Sequence, residues 1–128
     1  MLINLSNHPN NKWSEKQLST ALKKYKSIVD FPFPNISPKA TAFQIKAKAE
    51  IYLIKIFKLI KTSPDKHNAV HLMGEFTFVF HLATMLKSLS ADRQEKKIPV
   101  VVSTTNRIVE EKDGKKIVTF NFIRFREY

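Results

Sequence analysis

AVHLMGEFTFVFHLATMLKSL, residues 69–89, contains the junction that decides the fold. Ala69-Val70-His71-Leu72-Met73 is a short apolar run closed by Gly74, the pattern of a strand. From Glu75 to about Leu89 the chain has few breakers and predicts a helix. The same unit recurs upstream. Leu2-Ile3-Asn4-Leu5 predicts a first strand that runs into the polar loop Ser6-Asn7-His8-Pro9-Asn10-Asn11. Ser14 followed by Gln17 is a capping-box pattern that opens a helix to about Tyr25, with Leu18, Leu22 and Tyr25 on one face. Ile28 to Phe31 predicts a second strand, and the prolines at 32, 34 and 38 force a loop from Phe31 to Pro38. Thr41 to Ile60 is the longest helical pattern, with Ile45, Ala49, Tyr52, Leu53, Ile56 and Ile60 on its apolar stripe.

Downstream, Asp92 to Lys97 is a charged connector. Ile98-Pro99-Val100-Val101-Val102-Ser103 predicts a buried fourth strand, with Pro99 at its tolerated start. Arg107–Glu111 and Lys116–Phe125 flank Asp113-Gly114 as a β-hairpin. Strands alternating with helices imply parallel pairing through right-handed crossovers. The expected class is α/β, a small Rossmann-like three-layer sandwich whose mainly parallel sheet ends in a C-terminal antiparallel β-hairpin. The 128 residues suit one such domain, spanning 1–128.

The composition, 43% apolar and 26% charged with ten Phe, is that of a globular chain able to form a core. Without cysteine, a disulfide scaffold and a thiolate zinc site are excluded. The four histidines do not fall at metal-ligand spacings, so neither a metal nor a cofactor is expected. No apolar run reaches the roughly 20 residues of a membrane span. The start MLINLSNHPNNKW lacks the basic opening and long apolar stretch of a secretory signal, so a cytoplasmic chain is expected. With only two glycines, the dinucleotide fingerprint and the Walker loop are impossible. The formal charge of +11 points to an anionic partner, whether nucleic acid, a polyphosphate nucleotide or a membrane surface.

In an open parallel sheet, ligands sit beyond the carboxyl ends of the strands, where strand order reverses. That rule selects Ser6, Asn7, His8, Lys12 and Trp13 after strand one. It selects Gly74, Glu75 and Phe76 after strand three, and Thr104, Thr105 and Arg107 after strand four. His8 is the candidate acid, base or phosphate donor. Thr104, Thr105 and Arg107 offer two hydroxyls and a planar cation to an anion, unless Ser103-Thr104-Thr105 simply continues the strand, which Thr suits. Gly74 would let a backbone approach a ligand closely, and the first turn of the third helix would aim N–H groups at it. Glu75 would compete for that dipole. Trp13 could stack on a base or staple its helix. His71, between Val70 and Leu72, reads as a packed or sheet-facing histidine.

Four blocks carry a resemblance: Ser6-Asn7-His8-Pro9, Met73-Gly74-Glu75-Phe76-Thr77, Ser103-Thr104-Thr105-Asn106-Arg107, and the ending Phe122-Ile123-Arg124-Phe125-Arg126-Glu127-Tyr128. In these and in the order of its elements the chain resembles small CRISPR-associated Rossmann-like (CARF-related) proteins of type III systems, several of which are ring nucleases. The resemblance implies a homodimer around cyclic oligoadenylate, and metal-independent linearisation by attack of a ribose 2′-hydroxyl. His8 would give acid or base help, Arg107 and Lys12 the charge, and Thr104 and Thr105 the hydrogen bonds. Adenines would lie against Trp13 or Phe76. A non-cleaving binder of the same messenger, or a basic module for linear RNA or DNA, would use much of the same surface.

Overall fold

Central strands of a parallel sheet are buried on both faces, so their residues need cover on two sides. The computed structural model describes residues 1–92 and 98–128, with the backbone alone at 89–92. Strands β1 (Leu2–Ser6), β2 (Ile28–Asp30), β3 (Ala69–Met73), β4 (Val100–Lys112) and β5 (Lys115–Glu127) form one sheet in the order β2-β1-β3-β4-β5. The first four run parallel, and β5 returns antiparallel against β4. Helices α1 (Glu15–Tyr25), α2 (Ala42–Thr62) and α3 (Phe76–Asp92) connect them. The class is therefore α/β, as the alternation predicts. The charged connector expected at Asp92–Lys97 lies, from residue 93 on, outside the described residues.

Alternation along the strands sorts the core into two layers. Ile3, Leu5, Val70, Leu72 and Val100 pack with Ile45, Ala49 and Ile56 of α2 and with Phe78, Leu82 and Leu86 of α3. Leu2, Ala69 and Val101 face the other way, beneath Ala21 and Tyr25 of α1 and Trp13. Burying a side chain of this size stabilises by roughly 2 kcal/mol. Two differences from the sequence pattern matter. The buried face of α1 runs through Ala21 and Tyr25, with Leu18 partly covered, while Leu22 stays 46% exposed. The larger side chain suggested the stripe, but the sheet accepts the smaller one at close approach.

The starts of α1 and α2 are capped by hydroxyls. Thr41 and Gln44 form a complete capping box on α2. At α1 the Ser14 hydroxyl accepts from the Gln17 N–H, but the Gln17 side chain turns away to Ser103. That half-box is the first sign that the α1 side serves something besides its own helix.

The hairpin differs more. β4 is a single strand from Val100 to Lys112, but only Val100 and Val101 pair with β3. Beyond them β4 and β5 leave the sheet as a two-stranded arm, exposed from Thr105 to Asn121. Thr104 pairs with Arg124 and Thr105 with Phe122, so Ile123 bulges at the arm's root. Asp113 and Gly114 make the tip, both at positive φ. No helix among the described residues is long and apolar enough to cross a membrane.

Candidate functional site

Strand order reverses between β1 and β3, since the chain goes from β1 outward to β2 and then back across to β3. The carboxyl ends of β1 and β3 are thus the place where a ligand has room between diverging loops. A cleft of about 410 Å³ opens there, lined by Asn7, Glu75 and the Pro-rich loop residues Phe33, Pro34, Asn35 and Ile36. The Pro-rich loop is therefore one wall of the mouth.

Beneath the mouth, on the α1 side, each central strand contributes polar side chains to an otherwise apolar layer. Asn4 Nδ2 donates to Asp30 Oδ1 (2.7 Å) and to the His8 carbonyl (2.9 Å), so its Oδ1 must accept. That oxygen lies 2.8 Å from His71 Nδ1, which must then carry the proton. His71 Nε2 is left as an acceptor for the Ser103 hydroxyl at 2.8 Å, and Ser103 Oγ accepts from Gln17 Nε2 at 3.0 Å. One tautomer follows from the whole chain of bonds. His71 is 2% exposed, with Trp13 and Phe125 edge-on against its ring. Burial, helped by the nearby His8, lowers its pKa to about 4, so the neutral ring is the working form.

This network holds the first loop. The His8 carbonyl accepts from Asn4 Nδ2, Ser6 Oγ and Trp13 Nε1, and the His8 N–H donates to Ser6 Oγ. Asp30 takes the Asn10 N–H and side-chain amide. With its backbone tied on both sides, His8 stands exposed in the loop that follows β1, next to Asn7 of the cleft lining.

The predicted site residues divide accordingly. Asn7, His8 and Lys12 are exposed in the segment after β1, and of these Asn7 lines the cleft; Phe76 stands 89% exposed at the start of α3. Ser6 and Trp13 are buried and spent on the network; Trp13 staples the loop and cannot stack on a base. Gly74 does not clear room for a ligand: a Cβ there would meet the Phe33 ring, at 2.2 Å from its nearest atom. Glu75 caps α3, accepting from the Thr77 and Phe78 N–H groups, and these bonds hold its carboxyl below the usual range. The first-turn donors expected to face an anion are thus occupied.

Thr104, Thr105 and Arg107 lie within β4, not in a loop crossing the mouth. Thr104 donates its hydroxyl to the Arg124 carbonyl, and Arg107 stands about 13 Å beyond Ser103 along the strand. A β-branched run followed by Ser-Thr-Thr simply continues as strand, because Thr suits a pleated surface. His71 is packed within the sheet, as its place between Val70 and Leu72 predicts, but its partnership with Asn4, Asp30, Ser103 and Gln17 was not marked by sequence context. The available signal was a polar residue at alternate positions of β1, β3 and β4, which a doubly buried sheet tolerates only when partnered.

The positive charge is spread over α1, the outer face of α2 and the arm, and is not gathered at the mouth. A family model described as the uncharacterized protein MJ1673 family matches residues 1–126. No curated protein and no solved structure matches the chain.

Proposed function

The chain belongs to the uncharacterized MJ1673 family, and we propose that it acts in the cytoplasm as a metal-independent ring nuclease on cyclic oligoadenylate, held at the sheet mouth. The observation that carries this reading is the exposed His8 side chain. Its backbone is pinned at the switch point beside the cleft, where a phosphodiester would meet it. The net charge of +11 favours a polyanionic ligand, and the exposed Phe76 ring and Asn7 amide offer a stacking face and hydrogen bonds for adenine.

In the reaction a ribose 2′-oxygen attacks the adjacent phosphorus as the P–O5′ bond breaks. The 2′-hydroxyl proton leaves to a base, the 5′-oxygen gains a proton, and a 2′,3′-cyclic phosphate remains. Most of the acceleration comes from in-line positioning, with His8 serving one of the two proton transfers and Lys12 the developing charge. A homodimer would carry two such mouths.

A second reading, a non-cleaving binder of the same messenger, rests on Glu75. With that carboxylate committed to capping α3, His8 is the one acid–base side chain we assign to the mouth.

Incubation with cyclic tri-, tetra- and hexa-adenylate in the presence of chelator, read by mass spectrometry, separates these. Linear products ending in a 2′,3′-cyclic phosphate support cleavage. His8→Ala should then slow turnover by about 100-fold or more, while binding stays within about tenfold, roughly 1.4 kcal/mol. Intact rings with tight binding select the second reading. Indifference to ring closure, with steep salt dependence, would point to linear nucleic acid instead.

A further inference from the structure

The arm is the least explained part of the molecule. A two-stranded ribbon is marginal in water by itself, yet this one extends past the sheet with both faces exposed. It carries Ile108, Val109, Ile117, Val118 and Phe120 in solvent, the last 63% exposed. Among the described residues β3 pairs with β4 only at Val100 and Val101 and ends at Met73, level with Ser103, so no described strand lies along the outer edge of β4 past that level. Alternate residues there point N–H and C=O groups away from β5, a template for another strand.

We infer that a second copy of this chain fills that edge: β4 pairs antiparallel with β4 of the partner about a two-fold axis at Val109. The register follows from charge and from space. Antiparallel partners related by such an axis share a face of the sheet, so candidate registers step from one residue-centred axis to the next. Centring on Val109 sets each Arg107 opposite the other copy's Glu111, with the two Val109 side chains between them. Arg107 and Glu111 make no ion pair within their own chain among the described residues, although Lys116 lies across the hairpin from Glu111. Centring on Glu110 would set two carboxylates face to face, and centring on Arg107 would oppose two guanidiniums.

Space gives the same answer. The β3–β4 register, Val70 to Val100 and His71 to Val101, brings Met73 level with Ser103. An axis at Ile108 would drive the partner's Asp113 to that level, onto the end of β3. With the axis at Val109, Asp113 stops at the level of Thr105, one residue above the point where the incoming strand would strike Met73.

The partner's arm then lies in line with β3 and β1, and its tip caps the mouth. Lys112, Lys115 and Lys116 of the second copy, with Asp113 among them at the turn, arrive where this chain's own charge is sparse. The mouth is completed by cations from the other subunit. That they meet an oligoadenylate rests on the function proposed above; the pairing itself does not.

The chain has no cysteine, so Val109→Cys introduces a single thiol on the axis. Opposed Cα atoms in such a pair stand about 4.5–5.5 Å apart, within disulfide reach. Val118→Cys is the control, as exposed but on β5, about 14 Å from its mate across three strand spacings. We expect mild oxidation of the purified full chain to give a covalent dimer with Val109→Cys and not with Val118→Cys. Arg107→Glu should raise the dimer dissociation constant about tenfold or more by analytical ultracentrifugation, and Arg107→Glu with Glu111→Arg should restore it. A monomeric wild type, equal cross-linking at both positions, or a double reversal that fails to restore would overturn the pairing. All of these read assembly without ligand, so a failure of the ring-nuclease reading would leave them unmoved.

Discussion

The root of β4 and its outer half belong to one strand but obey opposite rules. At the root, Ser103 is bound to His71 and Gln17, and the chain of bonds from Asp30 through Asn4, His71 and Ser103 to Gln17 is satisfied internally. A few residues on, Arg107, Val109 and Glu111 stand exposed on the arm. A polar group whose partners are all within the chain stabilises and orients; it has little left to offer a ligand. Groups left free, such as the His8 ring and the arm's edge, cost little to expose and are available to something else. The difference therefore divides scaffold from surface within a single element.

The sharpest way to break this division is to exchange its two histidines. His71→Ala should cost about 3–4 kcal/mol in urea unfolding, because it opens a cavity and strands Asn4 Oδ1 and the Ser103 hydroxyl. His8→Ala should cost less than about 0.5 kcal/mol, as expected for an exposed side chain whose backbone bonds persist. Equal costs would mean that the network does not carry the loop.

Acid tests the same contrast with a slightly smaller effect. The unfolded chain protonates its His71 near 6.5, whereas the folded ring resists until about 4. Stability from this group is therefore fully present above pH 6.5 and is lost as the pH falls through that window, by roughly 3 kcal/mol. Asp65 and Glu75, both held below the usual carboxylate range, lose their contributions at lower pH. Unfolding free energy measured from pH 7 to pH 4 should slope in the wild type and flatten in His71→Gln. An unchanged slope would contradict the neutral, locked ring.

Much of the framework was legible because it rests on local signals. Apolar runs closed by Gly74 or by the Ser6–Asn11 cluster marked strands, and Ser14 and Thr41 mark the helix starts where the caps lie. Strand-helix alternation implied parallel pairing, while the strand order, and with it the switch point between β1 and β3, rests on the folded chain. What stayed hidden depended on long-range pairing. Nothing near His71 announces Asn4, 67 residues away, or Ser103, 32 away. Gly74 suggested close approach to a ligand, but the approaching group is Phe33 from a distant loop. The arm was misread as loop plus hairpin because Ser103–Arg107 is polar. Polarity beyond Ser103 reflects a strand that no layer of the described residues covers.

The most direct test of where this protein meets its ligand is hydrogen exchange of the full chain with and without cyclic tetra-adenylate. The account predicts slowed exchange in segments 6–12 and 74–78, and at the arm tip around 112–116, with α2 unchanged. Protection confined to the lysine-bearing face of α2, or none despite measurable binding, would contradict a site at the sheet mouth.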